Sequence, residues 1–172
     1  MANCGTPRRI TLRILLSAGL LLAVAGSIAH ADDKLIKMRA QYAAEDNPVK
    51  KAKILAKLGS REFADIRNSV KNDQDGQALA TLEQYRDAVM STTDALMGAG
   101  IDPVRHSGGF KELQISLRTS IRRLDDMILS LEQSVRPSFR AVRSDLETAQ
   151  NSLIDALFPV RNPKQSARAT AP

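Results

Sequence analysis

The sequence predicts an all-α protein, and three features of the chain after residue 31 carry that reading. Large apolar residues recur at steps of three and four, sustained two-residue alternation is missing, and clusters of Pro, Gly, Asn and Asp cut the periodic runs into helix-sized pieces. The expected architecture is two antiparallel helical hairpins joined by a glycine-rich hinge, closed like a four-helix bundle, with an extra short N-terminal helix alongside.

The first segment is expected to be a leader rather than part of the fold. Arg8, Arg9 and Arg13 precede an apolar run from Ile14 to Ile28, short for a bilayer-spanning helix of about 20 residues, and small side chains stand at Ala29 and Ala31. These features predict a signal peptide over residues 1–31, cleaved before Asp32, with an uncleaved membrane anchor as the competing reading. Thr11 stands where a twin-arginine signal prefers a large apolar residue, which favours the general secretory route. No cysteine follows the run, which closes the lipoprotein route.

Removing that leader changes the composition. The single cysteine, Cys4, goes with it, and 172 − 31 leaves 141 residues without a thiol, so disulfides and thiolate metal sites are excluded. The 25 basic residues fall to 22 against 19 acidic ones, a net charge of +3. So small a charge does not imply nucleic acid, and export would remove the chain from it. A chain of this length forms one domain without covalent staples, expected over residues 32–158.

A first short helix, about Asp33 to Ala44, places Leu35, Met38 and Tyr42 on one side and stops at "EDNP". There Asn47 is a natural N-cap, because its side chain can accept an orphan amide bond, and Pro48 a natural first helical residue, because it has no amide to orphan. The second helix, Pro48 to about Lys71, aligns Val49, Ala52, Ala56, Gly59, Phe63, Ile66 and Val70, with small residues mid-stripe where a neighbour can approach closely. Only "NDQDG" separates it from a third helix, about Gly76 to Met97, which presents Leu79, Leu82, Tyr85, Val89 and Leu96. A link so short makes 48–97 an antiparallel pair.

"GAGIDPVRHSGG", Gly98 to Gly109, interrupts the pattern with four glycines and a proline and reads as the hinge. A fourth helix, Phe110 to about Gln133, carries Phe110, Leu113, Leu117, Ile121, Leu124, Ile128 and Leu131 in a continuous seam. Pro137 removes a helical hydrogen bond anywhere but the first turn, at a cost of about 3 kcal/mol, so "SVRPSF" is expected to turn the chain into a fifth helix rather than kink the fourth. The fifth helix, to about Phe158, carries Phe139, Val142, Leu146, Ala149, Leu153 and Leu157, pairing 110–158 as the second hairpin. The remainder, residues 159–172, has three prolines from Pro159 on and almost no large apolar side chain, and reads as a disordered tail.

"KLG" at Lys57 to Gly59 and "GQALATLEQYRDAV" at Gly76 to Val89 resemble one tetratricopeptide-type hairpin, with Ala78, Leu82 and Tyr85 spaced like that repeat's second helix. The resemblance covers under a third of the chain after the leader, Glu62 stands where the repeat has an aromatic, and no second copy follows. It implies a way of packing two helices and assigns no binding residues.

The segment "VKNDQDGQAL" poses the sharpest chemical question, since Asp73, Asp75 and Gly76 mimic part of a calcium loop. In that alignment the first ligand position is Lys71 and the bidentate closing position Leu82, and neither can ligate calcium. A tight turn is the better reading, with Asp75 capping the third helix. His106, the one histidine after the leader, lacks a second ligand at metal-binding spacing, and pairing it with Met38, Met90 or Met97 about a haem has no spacing support. Ser107, His106 and Asp102 are too close in sequence to form a catalytic triad. Asp126, four residues after Arg122, is explained by an ordinary ion pair. The residues therefore predict no metal, no cofactor and no enzymatic activity.

Two basic features point outward to a partner. Lys50, Lys53 and Lys57 crowd the start of the second helix, where the macrodipole disfavours cations. Arg136, Arg140 and Arg143 share a face of the fifth helix and, with Arg118, Arg122 and Arg123 of the fourth, make a candidate strip for phosphate or carboxylate groups. Arg118, Arg122, Arg136, Arg140 and Arg143 are the candidate anion-binding residues. The competing reading is a solvated face laced with pairs such as Arg143 to Glu147. The function expected is that of an exported, non-enzymatic interaction or scaffold protein of the bacterial envelope, binding an unidentified protein or itself. The alternative is an Arg-rich face that binds polyanions, membrane surfaces or another anionic envelope component.

Overall fold

The structure, a computed structural model, describes residues 26–159, with side chains from Asp33 onward. The predicted leader up to residue 25, the side chains around its cleavage point and the predicted tail from residue 160 lie outside the described residues. By packing, the chain divides into two compact units, residues 1–34 and 35–172, and the core belongs to the second.

Every regular element among the described residues is an α-helix, as the periodicity predicted: α1 Gly26–Ala44, α2 Pro48–Lys71, α3 Asp75–Gly98, α4 Phe110–Ser130 and α5 Arg136–Leu157. Among the described residues α1 is already helical at Gly26, ahead of the expected start near Asp33, and Ser27 to Ala31 contains no residue that breaks a helix.

The α2 start follows the expected cap. Asn47 Oδ1 accepts the Lys50 amide at 3.0 Å, and Pro48 occupies the first turn. Its end is a tight turn. The Asp73 amide donates to the Val70 carbonyl at 3.1 Å and the Gln74 amide to the Ser69 carbonyl at 2.9 Å, while Asp73 adopts φ 56°. That is the Schellman turn, with aspartate at the left-handed position that glycine usually fills. Asp75 is the first residue of α3 and not its cap; Gln74 precedes the helix without a side-chain cap bond. Its carboxylate therefore serves the helix dipole from the first turn.

Burial on α2 is broader than one stripe. Ala52, Gly59, Phe63 and Ile66 are buried as predicted, and Leu55, Leu58 and Glu62 join them, because α2 packs on both α3 and α4 and also receives the end of α1. The small-residue notch works as expected. A Cβ at Gly59 would stand 2.7 Å from the Tyr85 hydroxyl oxygen, so only glycine admits that ring. Tyr85 meets Phe63 edge to face at 5.5 Å, and its hydroxyl lies 3.3 Å from Ser120 Oγ, which satisfies the phenol in the interior.

The end of α1 is fastened by polar contacts. Arg39 Nε donates to Glu62 Oε1 at 3.0 Å, the Tyr42 hydroxyl donates to the Ala88 carbonyl at 3.1 Å and lies 2.9 Å from Thr92 Oγ1, and Lys51 stands over the Tyr42 ring at 4.9 Å.

Helix α5 packs on α3 and α4, as α2 does, while α2/α5 and α3/α4 are not close pairs. The close pairs among the described helices are therefore α2/α3, α4/α5, α2/α4 and α3/α5. The α4 seam is buried throughout, with Ser120 and Met127 added. This helix ends at Ser130 rather than Gln133, with Leu131 already extended at ψ 156°. Helix α5 starts at Arg136, so Pro137 lies in its first turn, where it costs no hydrogen bond.

The loop from Ala99 to Gly109 is organised by Asp102, whose carboxylate accepts the Val104 amide at 2.9 Å and pairs with Arg105. At its end Gly109 has φ 86°, and a Cβ there would be 3.1 Å from the Val49 Cα, so the loop lies tight against the first turn of α2. Glu112 Oε2 accepts the Gly109 amide at 2.7 Å and so closes the start of α4.

Candidate functional site

Residues facing outward between α2 and α4 form a groove. Lys53 lies beside Glu112 and the Ala56 carbonyl accepts from Ser116 Oγ at 3.1 Å, so the two helices run in the same direction with their N-termini at one end. Outside that contact the side chains are short: Ala56 and Ser60 on α2, Ser116 and Thr119 on α4. Short side chains on facing helices leave an open groove of about 560 Å³, mostly apolar in its lining, with Ile115 on one wall. Ile115 is 52% exposed, although it lies outside the seam that builds the core. Lys53 and Lys57 form the opposite rim, and Glu112 stands at the N-terminal end.

The charged side chains at the groove are sparsely paired. Lys53 approaches Glu112 only to 3.9 Å, and Glu112 is already engaged with the Gly109 amide. Lys50 and Lys57 are exposed and make no ion pair among the described residues. Lys50, in the first turn of α2, faces the unfavourable end of that helix's dipole. The arrangement can hold an apolar ridge flanked by carboxylates or other anions.

The five candidate arginines differ in their partners. Arg136 turns back onto the end of α4, donating from Nε to the Leu131 carbonyl at 2.9 Å and from Nη2 to the Leu129 carbonyl at 3.2 Å. Arg143 bridges Asp125 at 2.6 Å and Glu147 at 2.7 Å, and the Asp125 bond foremost holds its proton more firmly than usual. The sequence anticipated the Glu147 pair; the contact across to α4 needed the fold. Arg118, Arg122 and Arg140 are exposed without an ion pair among the described residues, interspersed with Asp125 and Glu147.

The sequence reading did not place the carboxyl of Glu62 in the interior, where the structure buries it. Its side chain is 6% exposed and its one ion-pair partner among the described residues is Arg39, itself 44% exposed. Burial raises its pKa, more strongly than Arg39 lowers it. The pair fastens α1 to α2. A heptad-like alternation of Leu55, Leu58 and Glu62 with the stripe was the available signal.

His106 is exposed in the loop, with its amide bonded to the Asp102 carbonyl at 2.8 Å. Among the described residues, no three His, Cys, Asp or Glu side chains gather as a metal site would need, and no helix is long and apolar enough to cross a membrane. No family model matches this chain, and neither a curated protein nor a solved structure does.

Proposed function

We propose that this protein is an exported, non-enzymatic association module of the bacterial envelope, and that the α2/α4 groove is the surface through which it binds a protein partner. The observation that carries the reading is the groove itself: an open, largely apolar channel rimmed by Lys53 and Lys57, on helices whose opposite sides are consumed by the core. In this reading residues 1–31 direct export and are removed near Ala31. The α2/α3 and α4/α5 pairs are two antiparallel hairpins closed like a four-helix bundle, joined by the glycine-rich hinge. The three-residue turn after Lys71 and the extensive contacts within each pair support that arrangement. A rigid frame of this kind holds two helices at fixed spacing, which is what helix-in-groove recognition requires.

Filling the groove tests the proposal. Ser60→Trp and Thr119→Trp change exposed positions and should leave the far-ultraviolet spectrum and melting temperature unchanged. The wild-type chain should form a high-molecular-weight complex in envelope extracts, and both variants should lose it. An unaltered complex in both variants would refute the groove as the binding surface.

A further inference from the structure

The partner chemistry that the groove requires is present on the opposite face of the same molecule. Along α3, Glu83, Asp87, Met90, Asp94 and Met97 follow one another at steps of 4, 3, 4 and 3, a single helical ridge on the side away from Leu82, Tyr85, Val89 and Leu96. Asp87 and Asp94 are exposed, Met97 is 40% exposed, and Met90 is half-buried. Arg86 reaches from α3 to Asp145 of α5 at 3.6 Å, placing this ridge on the α3/α5 side, opposite the groove. Glu83 and Asp94 make no ion pair among the described residues, and Asp87 pairs only with the adjacent Arg86.

Groove and ridge match in sign, length and chemistry. The groove spans Lys53 to Ser60 and Glu112 to Thr119, two turns on each helix or about 10 Å, and Met90 to Met97 is the same two turns. Methionine is flexible and fills irregular apolar channels, as a floor of Ala56, Ser116 and Ile115 would demand. The carboxylates flanking those methionines have the sign that Lys50, Lys53 and Lys57 lack locally.

We infer that the occupant of the groove is a second copy of this chain: the methionine ridge of α3 from one molecule lies in the α2/α4 groove of the next, with Asp87 and Asp94 against Lys53 and Lys57. This rests on the groove being the binding surface and names what fills it. Because the two complementary surfaces lie on opposite faces, the contact is heterologous and each copy added leaves one groove and one ridge open. Assembly is then head-to-tail and unbounded unless it curves into a ring. It weakens as salt screens the rim.

Sedimentation velocity on the chain purified in the form that cells accumulate tests this. The variants are Lys53→Glu with Lys57→Glu, Asp87→Lys with Asp94→Lys, and Met97→Asp, all at exposed positions. Wild type should form concentration-dependent species beyond a dimer at low salt, weakened roughly tenfold or more when salt is raised from about 0.05 to 0.5 M. Each charge variant alone should sediment as a monomer, as should Met97→Asp. An equimolar mixture of the two charge variants should associate again, because each then offers a face that fits the other. The inference is overturned by a monomeric wild type, by charge variants that assemble normally, or by a mixture that stays monomeric. A monomeric wild type whose envelope complex is still lost with Ser60→Trp would remove self-assembly and leave the groove as the site for a different partner.

Discussion

Asp73 holds a backbone conformation that costs an L-residue free energy, and it does so to close the Schellman turn after α2. Asp73→Gly should therefore stabilise the fold by about 0.5–1 kcal/mol in urea titrations, whereas a calcium role would make the substitution neutral or harmful and calcium-dependent. Thr93 buries a hydroxyl that has no hydrogen-bond partner. Thr93→Val keeps the shape and removes the unmet group, and the melting temperature should rise with a gain of about 1 kcal/mol. Glu62 sets a pH dependence. Burial raises its folded pKa above the ordinary 4.5, so the native state holds the proton to higher pH than the unfolded chain does. Its contribution is fully present below 4.5 and is lost as pH rises through the folded value. Glu62→Gln keeps an acceptor for Arg39 without the charge. The melting-temperature difference between variant and wild type should grow in the variant's favour as pH rises across that window, and a difference that shrinks would contradict the burial argument.

Helix ends show how local chemistry becomes connection. Arg136 satisfies carbonyls at Leu129 and Leu131 that α4 leaves open, so its guanidinium ties the start of α5 to the end of α4. Arg136→Ala should cost about 1–2 kcal/mol of stability, and Arg136→Lys should recover only part, since one ammonium cannot reproduce the two-pronged contact. Retention on anionic vesicles should not follow that loss. Legibility differed by element for physical reasons. The boundaries of α2 and the seam of α4 were readable because caps and a 3.6-residue period are local properties of the chain. The role of Arg136 was not, because the carbonyls it bonds become available only once α4 is known to end at Ser130. Leu55, Leu58 and Glu62 were missed because a helix contacted on three sides buries more than one stripe. The groove was hidden for the opposite reason: Ala56, Ser60, Ser116 and Thr119 are unremarkable singly, and only the parallel placement of α2 and α4 makes a channel of them.

Across the whole molecule, the +3 charge expected after the leader conceals a separation in which lysines gather on α2 and carboxylates line α3. Pairing is sparse on both ridges, so each presents its sign to the surroundings. The side chains of Tyr85, Phe63, Phe110 and Phe139 are fully buried and packed, and the buried carboxyl of Glu62 bonds to Arg39 of α1. A working surface of this kind is tested most directly where a partner would touch it. A photo-activatable cross-linker at Ile115, the exposed wall of the groove, should capture one discrete protein species in living cells, and the same cross-linker at Leu129, which is 76% exposed outside the groove, should not. Equal capture from both positions, or none from Ile115, would contradict the account.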